Sequence, residues 1–274
     1  MTPVEVIRGP GPIILGQPHG GTWLPDDITA RLNPRGQLLE DTDWHIDQLY
    51  QGLLPDATVV RARVHRYAID ANRDPEDTSL YPGQNTTGLC PTTDFDGQPI
   101  WREGQEPGAA DRADRRARFH TPYHAALAAE VARVRALHGV AVIFDCHSIR
   151  SQIPFLFDGT LPDLNIGTNG GTTCAVEMAE AVAARCRAAT GFGWVLNGRF
   201  TGGWTTRHYG RPKDGVHAIQ MEIAQRAYLA TETPPFAYAP TRAAPLRAVL
   251  AEILATLDTL ARSSALAAKG VGHA

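Results

Sequence analysis

The apolar run Val140-Ala141-Val142-Ile143-Phe144 passes without a break into Asp145-Cys146-His147-Ser148-Ile149-Arg150. The run reads as a buried strand. The chain therefore leaves its core carrying an acid, an imidazole, a hydroxyl and a guanidinium in close succession. In open α/β sheets the ends of central strands are where ligands bind, because a rigid scaffold meets solvent there. Strand alternation puts Asp145 and His147 on the side of Ile143, so Asp145 can orient His147 by accepting one of its N–H groups. Cys146 faces the other way and reads as core filling; nothing basic beside it would lower its pKa and make it a nucleophile.

Further strands are expected at Ile13–Leu15, Thr58–Val60, Phe155–Phe157, Trp194–Leu196 and Val216–Ile223. Helices are expected between them. One starts with Thr121 as N-cap and Pro122 in its first turn and stops at Gly139, with Tyr123, Leu127, Val131 and Val134 on one face. A second covers about 172–189, and a third about 245–262 with a stripe of Leu246, Val249, Leu250, Ile253, Leu257 and Leu260. This alternation predicts a three-layer α/β domain. The length of 274 residues favours one domain over two. Two long stretches, 74–108 and 197–215, are rich in Gly, Pro and polar residues. Their aromatic residues (Tyr81, Phe95, Trp101, Phe200, Trp204, Tyr209) mark them as ordered loops covering a site. The tail 268–274 reads as disordered.

A net charge of −3 gives no electrostatic footprint for nucleic acid and no basic stripe for a membrane. No apolar segment approaches the roughly 20 residues of a membrane span, and the first residues do not resemble a signal peptide. The four cysteines (Cys90, Cys146, Cys174, Cys186) are scattered, without a C-x-x-C pair, as expected of reduced thiols in a cytoplasmic protein.

His19, in Gln17-Pro18-His19-Gly20-Gly21, also follows a strand. Two histidines at two strand ends are a common basis for a mononuclear metal site, the alternative being a hydrogen-bonded loop histidine. The adjoining glycines are expected to let backbone approach a metal-bound substrate. Asp41-Thr42-Asp43-Trp44-His45-Ile46-Asp47 offers a carboxylate ligand, but on spacing alone it reads better as a helix cap, with Thr42 or Asp43 at the N-cap. Arg66-Tyr67-Ala68-Ile69-Asp70-Ala71-Asn72-Arg73-Asp74 reads as a short strand. A guanidinium beside an amide suits a carboxylate; a surface ion-pair cluster is the plainer alternative. Glu222 stands deep in an apolar strand on the face of Ala218 and Gln220, where a lone carboxylate is rare unless it is functional or paired, Arg226 being the nearest partner. Gly167-Thr168-Asn169-Gly170-Gly171-Thr172 reads as opening a helix, whose N-terminus suits a small anion. Signatures of nucleotide binding or serine hydrolysis are missing.

These segments together resemble the N-formylglutamate amidohydrolases of histidine degradation. The resemblance rests on Pro18-His19-Gly20-Gly21, Asp41-Thr42-Asp43-Trp44-His45, Arg66 to Arg73, Leu80-Tyr81-Pro82-Gly83, Asp145 to Arg150, and Gly198-Arg199-Phe200-Thr201-Gly202-Gly203, in that order. The order also resembles that of the zinc carboxypeptidases and the aspartoacylase group. The resemblance implies a mixed central sheet of zinc carboxypeptidase type. It implies hydrolysis of N-formyl-L-glutamate to formate and L-glutamate with Zn2+ or another divalent cation, and a small N-acyl amino acid as substrate.

Carried over by residue, it implies His19 and His147 as metal ligands, Glu222 as general base and Arg66 as oxyanion stabiliser. It implies Asn72 and Arg73 as holders of a substrate carboxylate; Arg150 and Arg207, clustered near the candidate ligands, are further cations available to a dianion. The H-x-x-E of the carboxypeptidase pattern is broken, because Thr22 stands three residues after His19. Asp43 is the expected replacement ligand, Asp47 the second choice. The rivals are deacylation of another N-acyl amino acid, a carboxypeptidase, and a binding protein without turnover. Closure of 74–108 over the site favours the deformylase; an open groove favours peptides.

Overall fold

The computed structural model describes residues 2–263; the tail 268–274 lies outside them. Its sheet has seven strands: β1 (Val4–Ile7), β2 (Ile13–Gln17), β3 (Thr58–Ala62), β4 (Ala141–Ile149), β5 (Leu164–Gly167), β6 (Trp194–Leu196) and β7 (Val216–Ala224). Their order is β1-β3-β2-β4-β7-β5-β6. Strands β3, β2, β4 and β7 run parallel, whereas β1 and β5 are antiparallel to their neighbours β3 and β7, so the sheet is mixed. The two central strands, β4 and β7, are nine residues each and buried throughout. Strands covered on both faces are apolar along their whole length rather than alternating, which is why Val140–Phe144 was so legible.

Side-chain alternation divides the core. Val142, Phe144 and Cys146 of β4 and Ile219, Met221 and Ile223 of β7 pack on helices α5 (Val176–Ala188) and α7 (Pro240–Arg262). Ala141, Ile143 and Ala218 face α4 (Thr121–His138) through Tyr123, Leu127, Val131 and Val134. The result is helix, sheet, helix. The four cysteines are buried and unpaired. Among the described residues no helix is long and apolar enough to cross a membrane.

Several expectations are corrected. Phe155–Phe157 is a turn, with Leu156 and Phe157 N–H groups both donating to the Ile153 carbonyl; three apolar residues cannot specify a strand without a neighbour to pair with. The 66–74 segment is a series of tight turns, Ala68 N–H donating to His65 and Arg73 N–H to Asp70. Thr121 caps nothing, because helix already runs from Ala109 through a π-helical stretch, Arg116–His120, into α4. The widened stretch receives Pro122, which has no N–H to give. Gly139 does end α4, at φ 73°. Residues 167–172 open no helix, since α5 begins at Val176.

Helix α4 is tied to the loops above the sheet by imidazoles. His124 Nε2 lies 2.7 Å from the Ala71 carbonyl and Nδ1 3.2 Å from the Tyr209 hydroxyl. Burial, with repulsion from His120, pushes His124 down to about 3, and burial lowers His120 and His65 as well. A histidine depressed in the folded state stays neutral there while the unfolded chain takes up a proton near pH 6.5. Its stabilisation is thus complete above that pH and declines as pH falls toward the folded value. Unfolding free energy measured by denaturant titration should decline between pH 6.5 and pH 5, before ordinary carboxylates titrate, and His124→Gln should flatten the decline. A profile level across that interval would contradict this account.

Candidate active site

Three parallel strands end at one place. The chain leaves β2 at Gln17 and reaches His19 two residues on; β4 carries His147 and β7 carries Glu222 near their ends. Register pairs His147 directly with Glu222 and Asp145 with Gln220. Both pairs lie on the α4 side of the sheet, opposite the face of Cys146 and Met221. Asp43 arrives from the loop before helix α2 (Ile46–Tyr50). It is no helix cap: α2 starts after His45 with no capping side chain. Instead Asp43 N–H donates to the His19 carbonyl, and the Ser148 N–H donates to Asp43 Oδ2 at 3.1 Å. One aspartate thus ties the His19 segment to the end of β4.

His19 Nδ1 and His147 Nδ1 face each other at 3.2 Å, with Asp43 Oδ2 at 3.8 and 3.3 Å from them. The edges of a tetrahedron with bonds of about 2.0–2.1 Å are roughly 3.3–3.4 Å. Two of the three separations match that spacing and the third, from His19 Nδ1 to Asp43 Oδ2, is longer; the donor set fits a small divalent cation. The far side of each ring is backed by a carboxylate: Asp70 Oδ1 lies 2.7 Å from His19 Nε2 and Asp145 Oδ2 3.1 Å from His147 Nε2. An Nε2–H donated to a carboxylate leaves Nδ1 as a free ligand. With both rings in that state, two lone pairs point at each other until a proton or a cation comes between them.

Electrostatics favour that occupant. Burial alone would lower His147, but Asp145, Asp43 and Glu222 together hold it well above its ordinary value. His19 is lowered, by burial and by Arg66. Arg66 is itself buried, its Nη2 donating to Asp70 Oδ2 at 2.9 Å and its Nη1 3.6 Å from Asp43 Oδ1. Burial pushes the Glu222 carboxyl up to about 8, with Asp43 and Asp145 adding to the shift and His147 and Arg66 opposing it. A cation among these groups would pull the carboxyl back toward ionisation.

The groups open onto a cavity of about 60 Å3, lined by His19, Asp43, Arg66, Asn72, Arg73, His147 and Glu222. That is room on the order of five waters. Tyr81, Asn85, Thr86, Thr87 and Phe95 from the 74–108 loop, and Arg199, Phe200 and Gly203 from the next, close the remaining wall. The Thr205 N–H donates to Asn72 Oδ1 and holds its amide, and the Trp204 N–H donates to the Asn72 carbonyl. Gly203 is packed so tightly on that amide that an added Cβ would meet Asn72 Nδ2 at 2.2 Å.

Other expected residues lie elsewhere. Asp47 is 54% exposed and 3.7 Å from Arg61, away from the histidines. Arg150 pairs with Asp96 at 3.1 Å and Asp41 at 3.8 Å and does not line the cavity. Arg207 is spent on loop closure, donating to the Gly202 and Leu80 carbonyls and Thr201 Oγ1. Arg226 pairs with Asp163, not with Glu222. Gly20 and Gly21 serve chain packing rather than a ligand: a Cβ would meet Ile46 at 2.7 Å and the Arg63 backbone at 2.4 Å. The alternative of a surface ion-pair cluster fails at Asp70, which is fully buried behind His19. The sequence reading passed over Arg199, although the Gly198–Gly203 motif contained it.

The carboxylate behind His19 generates a measurable difference. Asp70→Asn should weaken divalent-cation affinity about 10- to 100-fold, read by competition with a chromophoric chelator, while Asp47→Asn should leave it unchanged. Equal effects of the two substitutions would remove Asp70 from the site.

Residues 11–229 match the family model described as N-formylglutamate amidohydrolase. The chain is 47% identical over 251 residues to an N-formylglutamate deformylase of Pseudomonas aeruginosa, covering 91% of this chain and 94% of that one. It is 44% identical over 251 residues to the Pseudomonas putida protein of the same name, covering 91% and 93%. Its backbone superposes on the crystal structure of an N-formylglutamate amidohydrolase from Ralstonia eutropha with a TM-score of 0.77, over 94% of this chain and 98% of that one. At 24% identity this likeness speaks for the fold. A protein of Agrobacterium tumefaciens shares the fold at a TM-score of 0.71 and 19% identity, with 95% and 96% covered. With most of its length matched by the family model and relatives at nearly half identity, the chain belongs to the N-formylglutamate amidohydrolase family.

Proposed function

We propose that this protein is a metal-dependent amidohydrolase that cleaves N-formyl-L-glutamate to formate and L-glutamate. The observation that carries the reading is the position of Glu222. Its carboxyl is buried beside His147 by strand register, in the same small cavity as the two facing Nδ1 atoms, and its hydrogen-bond donor is the neutral Gln220 amide at 3.2 Å. A carboxyl held there without an arginine or lysine bonded to it is free to exchange a proton.

His19, His147 and Asp43 would hold the cation, proposed to be Zn2+, although an N,N,O donor set accepts other divalent ions. When bound, the cation supplies Lewis-acid polarisation of the formyl carbonyl and acidifies a water. Glu222 takes the proton of the attacking water and gives it to the amide nitrogen as the C–N bond breaks, so that glutamate departs as a neutral amine. Arg66, fixed by Asp70 and stacked 4.7 Å from the Phe95 ring, presents positive charge where the carbonyl oxygen becomes anionic. Asn72 and Arg73 take a substrate carboxylate. Arg73 retains cationic character toward the cavity because its Nε and Nη2 go to neutral Thr86 and Thr87 oxygens and Asp70 stands 3.9 Å away.

The cavity's size favours a formyl group over a peptide. The loop bearing Tyr81 to Phe95 closes one side, where a peptide groove would have to be open. A reducing, cytoplasmic setting belongs to the same proposal, supported by four buried thiols of which none is bonded to another.

Glu222→Gln should lower formate release about 10^2- to 10^4-fold while the protein still binds its metal; a variant within tenfold of the parent would remove Glu222 as the base. Arg73→Ala should raise KM for N-formylglutamate with a smaller change in kcat. Dialysis against a chelator should abolish turnover and added Zn2+ restore it. Full activity in metal-stripped protein would refute the cation's role.

A further inference from the structure

N-formylglutamate carries two carboxylates, and Arg73 with Asn72 accounts for one. Arg199 lines the same cavity from the opposite loop. Its Nε donates to the Leu156 carbonyl at 3.0 Å and one Nη2 N–H to the Asn85 carbonyl at 3.1 Å. Both partners are neutral, and the described residues place no carboxylate within ion-pair distance of it. The guanidinium stands 5.4 Å from the Tyr81 ring and 5.2 Å from the Phe200 ring. Half-burial lowers its pKa; Tyr81 raises it, Arg73 is close enough to lower it, and the more distant Glu222 raises it slightly. A guanidinium remains charged through such shifts. A half-buried cation across a small cavity from another cation, with no carboxylate bonded to it among the described residues, is electrostatically incomplete.

The other arginines of the region differ on this point. Arg66 is bonded to Asp70, Arg150 to Asp96, and Arg207 has donated its fork to loop oxygens outside the cavity. Two of Arg199's five N–H groups are accounted for, and Nη1 has no partner among the described residues. The loop bonds hold the fork rigidly, so its free edge is presented without a large ordering cost.

We propose that Arg199 is the specificity-determining residue for the substrate's side-chain carboxylate, so that the site selects N-acyl derivatives of dicarboxylic amino acids. This rests on the amidohydrolase reading, with Arg73 and Asn72 holding the α-carboxylate. The two arginines clamp a dianion from opposite loops. The neutral amide of N-formylglutamine, of nearly the same shape, leaves the Arg199 charge uncompensated and is discriminated against.

The test is the ratio of kcat/KM for N-formyl-L-glutamate to that for N-formyl-L-glutamine. In Arg199→Gln the ratio should fall about 10- to 100-fold, the worth of one charge-assisted pair. Arg199→Lys, which keeps the charge, should retain part of it, and Arg207→Gln should keep the parental ratio. Equal losses on both substrates in Arg199→Gln, or a collapse of the ratio in Arg207→Gln instead, would overturn the proposal. Binding of L-glutamate against L-glutamine, measured by calorimetry on the metal-loaded protein, gives the same comparison without turnover. If no N-formyl amino acid is hydrolysed, the amidohydrolase reading fails, and the Arg199 proposal still stands or falls on whether Arg199→Gln erases the preference for glutamate.

Discussion

The in-register pairing of β4 with β7 is the constraint on which the site depends. Nine successive pairs run from Ala141–Val216 to Ile149–Ala224, and His147–Glu222 is one of them. Side chains alternate with period two, so a slip of one residue would turn a strand's whole polar set to the other face. For β7 that would drive Gln220 and Glu222 into the apolar layer where Ile219, Met221 and Ile223 meet α5 and α7, where burying a carboxylate is costly. The apolar residues on the two faces thus fix the register, and the register fixes the distance between the imidazole and the carboxyl. Packing on one side of the sheet determines chemistry on the other.

Such a concentration of buried charge persists only because each group has a partner of opposite sign or a hydrogen bond. Asp70 holds His19 and Arg66 at once, at 2.7 and 2.9 Å. Asp145 accepts from His147 and from Thr206. The incomplete points are instructive. Asp43 Oδ1 and Asp145 Oδ1 are buried without a hydrogen-bond partner among the described residues, and two Nδ1 atoms face each other beside Asp43. The arrangement carries anionic and lone-pair density at its centre and guanidinium charge at its rim. A cation suits the former and an anionic substrate the latter.

Much of this was legible in the sequence, and the boundary between what was and was not has a physical cause. Periodicity reports which residues share a face of one element. It sufficed to set Asp145 with His147, to turn Cys146 away, and to put Glu222 with Gln220 and Ala218. It cannot report where a turn points, because that is decided by contacts remote in sequence. Asp43 looked like a helix cap because acids favour helix starts, yet its oxygen is taken by Ser148, 105 residues away. The 66–74 segment alternated like a strand but has no neighbour to pair with, and it folds as turns around the Asp70 carboxylate, which accepts the Asn72 N–H at 2.8 Å. Arg150 and Arg207 were as plausible as Arg199 for a related reason. The same guanidinium serves as loop staple, ion-pair partner or substrate cradle, and only its neighbours decide which.

That versatility explains how the two kinds of residue in this site are held. Groups that require fixed placement, His147, Asp145 and Glu222, stand on strands whose ladders determine their positions. The walls that meet the rest of a substrate are loops without ladders. There arginine takes over the missing hydrogen bonds: Arg73 to the Thr87 carbonyl, Arg199 to Leu156 and Asn85, Arg207 to Leu80 and Gly202. Each bond satisfies a loop carbonyl, and each fixes a charge beside the cavity or behind its wall. Replacing such an arginine removes loop order and charge together, whereas replacing a strand-end residue changes the chemistry while the ladder beneath it persists. The strand ends therefore bear on what reaction this fold can carry out, and the arginine-stapled loops on which amide it accepts.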